Sequence, residues 1–574
     1  MFSTGIVFAV LVVLVAYAES VRFVRRQNLD EALQVSTSSG IVQGRTNRTF
    51  SGRPFWSFRG IPYGRPPVGT FRFRAPKPAE PWQGVLDATE ESPACVQIFV
   101  RSRGVFTSGT EDCLIVNVFT PTDPLYQRDP LPVLVWFYGG AFVEGNSSVT
   151  AFGPEFLLDE DIVVVTLNYR IGFFGFMSTE DSASPGNYGL KDQVLALRWV
   201  QRNIRNFGGD PSRVTISGQS AGAASVLYHV ASPKSKGLFH RAIANSGTSL
   251  SAFAWKRNAK EVAFQVGEGL GINTKNSKEL VSKLRMVDLK SLMGVCETLV
   301  TLNLLTLMLE GFAFGPVIEH DHKNAFISES TYSLLERGDF NRVPIIIGTT
   351  TDESAVFENL INGVKYLIVL FDLSPGSLPN PSMKITTSEE RRKVGTEIIR
   401  HYFKRRSAFE ASVEEIEDFM SDEQFVRPAR KTAQLAYRHT PVYSYVFSYR
   451  SKYGVRGFND ELRGRGSSRG VVHTEDLTYI WKRIERSFPR NQEDRLMVSR
   501  MVKLWANFAR TGNPTPRTDP LLQNITWPSV NSRKDMKYLD IDSTLTIKSN
   551  YREEHMKFWD YIYEKHGGKS YITY

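Results

Sequence analysis

The chain has 574 residues, of which 41% are hydrophobic and 23% are charged, as is ordinary for a globular protein. Its 70 basic and 60 acidic residues give a formal net charge of +10. Because the basic residues are spread along the chain and form no concentrated stripe, we expect a solvated basic surface and no nucleic-acid partner. The length would suit about four domains of ~150 residues each, but large α/β enzymes exceed that figure as single units.

The first 18 residues are a candidate signal peptide. The apolar run over 6–17 is too short to span a bilayer comfortably, and Ala16-Tyr17-Ala18 offers a cleavage site before the next residue. Arginines follow the run at 22–26 and none precedes it, so a signal anchor stays an alternative. No later apolar segment is long enough to span, and the segment 569–574 lacks a hydrophobic tail. We predict secretion, no stable membrane span, and one domain over 19–574.

Cysteine usage and sequons agree with a secretory compartment. Cys95 and Cys113 are close enough in sequence to close a short loop, worth ~3 kcal/mol by the chain-entropy estimate. Cys296 is left over, and a small buried apolar residue is its simplest interpretation. The candidate N-glycosylation sites are Asn47, Asn146 and Asn524.

Strands alternate with helices along the chain, and no internal repeat is visible. Buried-type strands are predicted over 131–137 and 161–167, and two later strands over 343–348 and 442–447. The segment 190–206 carries apolar residues at helical spacing. This alternation predicts an α/β protein with a central, mostly parallel sheet and helices on both faces.

A serine between two glycines is the main functional motif. The β-branched segment 214–217 predicts a strand that runs into Gly218-Gln219-Ser220-Ala221-Gly222, and a small-residue helix start follows. In that context the serine of G-x-S-x-G lies on a strained strand-to-helix turn, with its hydroxyl exposed and an amide N–H aimed at a substrate oxygen. The glycines are needed because the turn leaves no room for side chains on either flank. We predict that Ser220 is a catalytic nucleophile, with a purely structural turn as the alternative.

Several segments resemble the type-B carboxylesterase/cholinesterase family. The stretch 207–222 resembles its active-site signature, and 111–118 resembles its second signature, with Ile115 where an aromatic residue or threonine is more usual. Further matches lie at 58–63, 187–193 and 244–247. The resemblance runs from about residue 40 to residue 559, and it implies an α/β-hydrolase fold with a deep active-site gorge.

The resemblance also implies the two partners of the serine. A serine hydroxyl is a poor nucleophile alone, so it needs a base and a group that orients the base. The family's acid segment is matched by 348–357, which aligns Glu353 with the acid, while Ser354 stands where glycine is usual. The neighbouring Asp352 is the competing candidate. The family's histidine segment is matched by 470–476 and implies His473 as the base.

The loop after the strand over 131–137 matches the family's oxyanion loop. The backbone N–H groups of Gly139, Gly140 and Ala221 would converge on the developing negative charge. Tyr138 stands where many carboxylesterases have histidine, and tyrosine is familiar in the cholinesterase branch. The chemistry uses the glycine amides, so this departure does not threaten it. A plain strand-to-loop glycine pair is the alternative, and neither a cofactor nor a metal is implied.

Three departures argue against a choline ester as substrate. The cholinesterase branch holds its quaternary ammonium on a tryptophan of the first disulfide loop, but the loop 96–112 contains none. Arg463, Arg465 and Arg469 precede the candidate base, and the family's second disulfide is missing. We therefore predict a secreted serine carboxylesterase that hydrolyses neutral carboxylic esters to acid and alcohol through an acyl-enzyme.

The sequence is compatible with two other functions. Gln219 stands where most members of the family have glutamate, and G-Q-S-A-G occurs in juvenile hormone esterases and some other insect esterases. The basic helix pattern of those enzymes has no clean match here. A non-catalytic adhesion protein of the neuroligin or neurotactin kind is the alternative of another class. Such relatives generally lack a triad member, whereas all three candidates are present in this chain. The predicted partner is a small-molecule ester, and the oligomeric state is left open.

Overall fold

The computed structural model describes residues 33–101, 104–124, 129–302, 311, 313–358, 361–362, 368–404, 407–454, 470–484, 488–568 and 570–574. The strands of the described residues are β1 (Leu33–Ser36), β2 (Ile41–Arg48), β3 (Pro54–Pro62), β4 (Val85–Asp87), β5 (Gln97–Arg101), β6 (Gly104–Ser108), β7 (Ile115–Thr120), β8 (Leu131–Phe137), β9 (Val163–Leu167), β10 (Gly209–Gln219), β11 (Arg241–Asn245), β12 (Ile345–Thr350), β13 (Val442–Phe447), β14 (Lys537–Ile541) and β15 (Thr546–Ser549).

The helices lie between and after these strands. The α-helices of the described residues are Gly172–Phe176, Tyr188–Asn203, Ala221–Ala231, Ala259–Gly269, Ser277–Leu284, Leu289–Leu302, Thr331–Arg337, Val369–Leu373, Ser388–Phe403, Val413–Ser421, Arg427–Ala436, Gln492–Thr511 and Glu553–His566. A π-helical turn, Asp422–Val426, joins two of them.

A mixed sheet forms the centre of the protein. Its strand order is β1-β2-β3-β7-β9-β8-β10-β11-β12-β13-β14-β15, with β4 beside β2. The run from β9 through β8 and β10 to β14 is parallel throughout, and antiparallel strands flank it on both sides. The predicted α/β class with a mostly parallel central sheet is confirmed.

The central strands are apolar on both faces because helices cover both faces. Alternate residues of β8, Val133 and Val135, share a buried cluster with the helices Tyr188–Asn203 and Ala221–Ala231. The intervening residues Leu134 and Trp136 belong to a second cluster that includes the helix Gln492–Thr511. A strand buried on both faces carries a continuous apolar run, which explains why β8 has the sequence LPVLVWF.

Most predicted elements lie within two residues of the observed ones. β8 and β13 match at both ends, whereas β9 begins at Val163 and β12 begins at Ile345, each two residues later than predicted. The largest difference is β10, which begins at Gly209 and not at Val214. Its register to β8 shifts between those two residues, so the strand starts early and contains an irregularity that the apolar pattern did not signal.

A disulfide joins Cys95 to Cys113, with 5.1 Å between their Cα atoms. The loop that it closes holds the antiparallel hairpin of β5 and β6, where the rings of Phe99 and Phe106 stack at 5.1 Å. Cys296 is a free, fully buried thiol in a separate apolar cluster. Its burial agrees with the small apolar role expected of it.

Among the helices of the described ranges, none is long and apolar enough to cross a membrane. The predicted signal peptide over 1–18 lies outside the described residues. Cleavage after Ala18, the signal-anchor alternative and the single domain over 19–574 therefore stay predictions.

Candidate active site

The predicted site residues meet at the carboxyl edge of the parallel sheet. Gly139 follows β8, Ser220 follows β10 and Glu353 follows β12. His473 lies on a loop after β13, and this loop is tied to the loop after β12. In open α/β sheets, ligands bind outside the carboxyl ends of the strands. The structure thus brings together residues that lie up to 334 positions apart, from Gly139 to His473.

Ser220 occupies a sharp turn between β10 and the helix Ala221–Ala231. Its backbone dihedrals are φ 58° and ψ −122°, a strained conformation for a residue with a side chain. Its N–H donates to the carbonyl of Asn245 on the adjacent strand at 2.9 Å. A Cβ on Gly218 would overlap the carbonyl oxygen of Gly222, so the turn requires glycine there. Ser220 is half-buried, whereas both of its chain neighbours are buried.

A buried hydrogen bond joins His473 to Glu353. The distance from His473 Nδ1 to Glu353 Oε2 is 2.5 Å, and the two residues are 5% and 0% exposed. The other carboxylate oxygen of Glu353 accepts from the N–H of Thr350 at 2.8 Å. Glu353 is thus held from two sides, and the contact assigns the imidazole proton to Nδ1.

Asp352 does not take the place of Glu353. Its backbone forms a parallel bridge with Val472, and its N–H donates to the carbonyl of Val471 at 2.8 Å. A Cβ on Gly470 would overlap Asp352 Oδ2, so this carboxylate lies against the backbone of Gly470. Of the two adjacent carboxylates, Glu353 is therefore the one that contacts the imidazole.

Gln219 makes the contact with the second imidazole nitrogen. Its Nε2 lies 2.6 Å from His473 Nε2. Among the hydrogen bonds of the described residues, none joins the Ser220 hydroxyl to His473. The sequence places Gln219 next to the serine but says nothing about the direction of its side chain, so this contact could not be predicted.

The loop after β8 lies directly beside the serine turn. A Cβ on Gly139 would come within 2.5 Å of the Gln219 carbonyl oxygen and 3.0 Å of Ser220 Cβ, so only glycine fits. Ala221 is the first residue of its helix, where N–H groups have no intrahelical partner. In the described part of the chain, the N–H groups of Gly139, Gly140 and Ala221 donate to no protein acceptor. They remain available to a ligand oxygen.

Tyr138 anchors the start of that loop. Its hydroxyl donates to the carbonyl of Tyr169 at 2.9 Å, and the Tyr169 hydroxyl donates back to the carbonyl of Tyr138 at 2.7 Å. The two rings stack at 4.4 Å, and burial raises the pKa of both phenols. Tyr138, which stands where many carboxylesterases have histidine, therefore directs its hydroxyl to the backbone of Tyr169 and not to the serine.

Sequence reasoning missed a buried carboxylate three residues after the histidine, Asp476. Asp476 Oδ2 accepts from Asn245 Nδ2 at 3.0 Å and from the Tyr445 hydroxyl at 2.8 Å. Burial raises the pKa of Asp476, and the nearby Glu353 carboxylate raises it further. The matched segment 470–476 ends at this aspartate, which was the only signal available.

Two phenylalanines were also missed. The ring of Phe425 lies 4.7 Å from the His473 ring, and the ring of Phe357 lies 6.4 Å from it. Phe425 lies on the π-helical turn Asp422–Val426, a local irregularity for which the sequence gives no periodic signal. Apolar rings therefore flank the imidazole.

The three sequons differ in exposure. Asn524 is exposed, and Asn47 is half-buried on β2. Asn146 lies close to the glycine loop, and its Oδ1 accepts from the N–H of Ser148 at 3.0 Å. This contact already engages the Asn146 side chain.

Known proteins resemble this chain over most of its length. The model of the carboxylesterase family matches residues 31–559. Esterase FE4 of Myzus persicae is 36% identical over 491 residues, which cover 84% of this chain and 85% of that protein. Juvenile hormone esterase of Tribolium castaneum is 33% identical over 534 residues, which cover 87% of this chain and 86% of that protein. The crystal structure of juvenile hormone esterase from Manduca sexta, with OTFP covalently attached, matches with a TM-score of 0.82 at 32% identity and covers 93% of this chain and 100% of that chain.

The sheet, the serine turn and these matches define an α/β-hydrolase. The chain belongs to the carboxylesterase family, as the sequence motifs predict, and it is a carboxylic ester hydrolase. This result favours the enzyme over the adhesion alternative.

Replacing Glu353 should be far more damaging than replacing Asp352. We expect Glu353→Gln to lower kcat for an aryl ester by about 10⁴-fold, because the amide no longer favours the correct imidazole tautomer or its charged form. Asp352→Asn changes a carboxylate that lies against Gly470, so the loss should be much smaller. Steady-state kinetics on both variants, with melting temperature as the folding control, checks this. A larger loss in Asp352→Asn would show that the acid is one residue earlier.

Proposed function

We propose that this protein is a serine carboxylesterase in which Ser220 forms an acyl-enzyme. The observation that carries the proposal is the position of Ser220 on a strained turn beside a buried imidazole–carboxylate pair. A serine hydroxyl becomes an effective nucleophile when an adjacent base takes its proton. The Glu353 contact leaves Nε2 as the nitrogen of His473 that can accept that proton.

The reaction proceeds in two transfers. Ser220 Oγ attacks the ester carbonyl carbon while its proton passes to His473 Nε2, and the carbonyl electron pair moves onto oxygen. The N–H groups of Gly139, Gly140 and Ala221 stabilise this oxyanion. Collapse breaks the bond to the alcohol, which leaves with the proton from His473. Water then attacks the acyl-enzyme with His473 as base, and the acid departs as Ser220 regains its proton.

Loss of the serine or the imidazole should remove nearly all activity. We expect Ser220→Ala and His473→Ala each to lower kcat for a simple aryl ester by about 10⁴–10⁶-fold, because the residual rate comes from binding and the oxyanion donors alone. An organophosphate should label Ser220, as a mass shift on its peptide. Turnover that survives in folded Ser220→Ala would end the serine mechanism.

Neutral, fairly apolar esters are the proposed substrates. The rings of Phe425 and Phe357 flank the imidazole, and the disulfide loop offers Phe99 and Phe106 but no tryptophan. The three arginines before His473 lie outside the described residues, so they contribute nothing further to this argument. The deep gorge likewise stays a prediction.

Hydrolysis of a juvenile hormone is the second candidate. The compared proteins of Tribolium castaneum and Manduca sexta carry that activity in their names. The motif G-Q-S-A-G of this chain resembles the one expected of such enzymes. The similarity to Esterase FE4 is of the same size and favours no hormone. A general carboxylesterase therefore remains the first candidate.

A substrate panel separates these candidates. We expect kcat/KM for a naphthyl acetate to exceed that for acetylcholine, because a desolvated cation–π contact worth ~2 kcal/mol is missing from the disulfide loop. The measurement is kcat/KM for acetylcholine, a naphthyl acetate and a juvenile hormone on one preparation. A preference for acetylcholine would refute the substrate class, and a low KM with the highest kcat/KM for the hormone would establish the second candidate.

Secretion is part of the proposal. The apolar run over 6–17 and the Ala16-Tyr17-Ala18 site support it, as does the Cys95–Cys113 disulfide, because such bonds persist in oxidising compartments. The exposed Asn524 and the half-buried Asn47 are the sequons best placed to carry glycans.

Material secreted from insect cells should begin at Glu19. It should carry N-glycan on at least one of Asn47 and Asn524, and Cys95 and Cys113 should be linked in non-reduced peptides. N-terminal sequencing and peptide mass analysis with and without glycosidase check these points. An intact segment 1–18 on membrane-bound material would support the signal anchor instead.

A further inference from the structure

The side chain of Gln219 lies between the oxyanion loop and the imidazole. Its Nε2 is 2.6 Å from His473 Nε2, and a Cβ on Gly139 would come within 2.5 Å of its Oε1. Gln219 is 4% exposed, so the carboxamide is enclosed at both ends. This packing keeps it at the nitrogen that the reaction uses.

The direction of the hydrogen bond follows from the other side of the ring. With the proton on Nδ1, facing Glu353, His473 Nε2 carries a lone pair and can only accept. The Gln219 amide therefore donates to it. In the proposed mechanism the Ser220 hydroxyl donates to the same lone pair, so two donors compete for one acceptor. Among the described residues, Gln219 makes a hydrogen bond to His473 Nε2 and the Ser220 hydroxyl does not.

We propose that Gln219 is a positioning residue that acts through His473: in the enzyme without substrate its amide donates to the Nε2 lone pair, and it yields that nitrogen to Ser220 when an ester binds. This inference rests on the proposed serine mechanism. Gln219 itself exchanges no proton and forms no bond to the substrate.

A carboxylate could not do the same. Glutamate at this position would accept only, and it would favour the imidazolium, which carries a proton on Nε2. His473 is already hydrogen-bonded to Glu353 from the turn after β12. It also interacts electrostatically with Asp476, whose carboxylate accepts from the Tyr445 hydroxyl of β13. The π-helical turn presents the uncharged ring of Phe425. A neutral donor at residue 219 keeps a third carboxylate away from the imidazole.

The test is the pH dependence of kcat/KM for a neutral aryl ester in Gln219→Glu and Gln219→Met. The neutral imidazole is the active form in the proposed mechanism. Stabilising the imidazolium therefore moves the acidic limb of the kcat/KM profile, where activity rises with pH, to higher pH. We expect the limb of Gln219→Glu to move up by about one pH unit or more. At a pH on this limb, kcat/KM of Gln219→Glu is then about tenfold below that of wild type, and the difference disappears in more alkaline buffer. The limb of Gln219→Met, which loses the donor but adds no charge, should lie between wild type and Gln219→Glu.

Gln34→Glu is the matched control, because Gln34 is exposed on β1 and the change adds the same charge elsewhere. Its acidic limb should coincide with that of wild type. Melting temperature and organophosphate titration of reactive Ser220 correct each variant for misfolded protein. The inference would be overturned if the acidic limbs of Gln219→Glu and wild type superimposed. It would also be overturned if both Gln219 variants lost kcat/KM by the same factor at every pH, because a merely structural role has that signature.

The two proposals fail in different ways. If wild type hydrolyses the ester and Ser220→Ala does not, the serine mechanism stands whatever the Gln219 profiles show. If Ser220→Ala keeps its activity, the mechanism and this inference both fall.

Discussion

The buried hydrogen bond between Glu353 and His473 is the interaction on which the rest of the site depends. A fully buried carboxylate is costly unless hydrogen bonds satisfy its oxygens, and here the imidazole Nδ1–H and the Thr350 N–H each donate to one of them. The pairing requires two loops in fixed register. The parallel neighbours β12 and β13 and the bridge between Asp352 and Val472 provide that register. The sheet therefore sets the geometry of the pair, and the pair fixes the imidazole against the serine turn.

The strained turn at Ser220 is held by packing around it. Its N–H is bound by Asn245 on β11, while the loop after β8 crowds it so closely that Gly139 tolerates no Cβ. Strain of this kind costs of order 1–3 kcal/mol and persists only when the surroundings over-determine it. Three parallel strands, β8, β10 and β11, are paired at this point, and packing on both of their faces surrounds the turn.

The sequence predicts the strands of the sheet better than it predicts the side-chain contacts at the site. β8 was predicted at both ends because a nearly continuous apolar run marks a strand buried on both faces, and β13 because β-branched and aromatic residues fill all but one of its positions. β10 begins earlier than predicted because its register shift leaves no periodic trace. The residues at the site could be named from motifs, but the Gln219–His473 contact joins positions 254 residues apart and depends on the direction of one side chain.

This difference explains why the reaction class is easier to predict than the substrate. The proposed acyl transfer needs a hydroxyl, an imidazole, a carboxylate and a few amide donors, and each candidate residue lies in a segment that matches a sequence motif. Substrate choice depends on the shape of apolar walls, where one methylene is worth only ~1–3 kcal/mol. The apolar rings beside the imidazole are Phe425, on a π-helical turn, and Phe357, on a short 3₁₀ turn. Irregular backbone carries no period, so a single sequence describes this part of the site least.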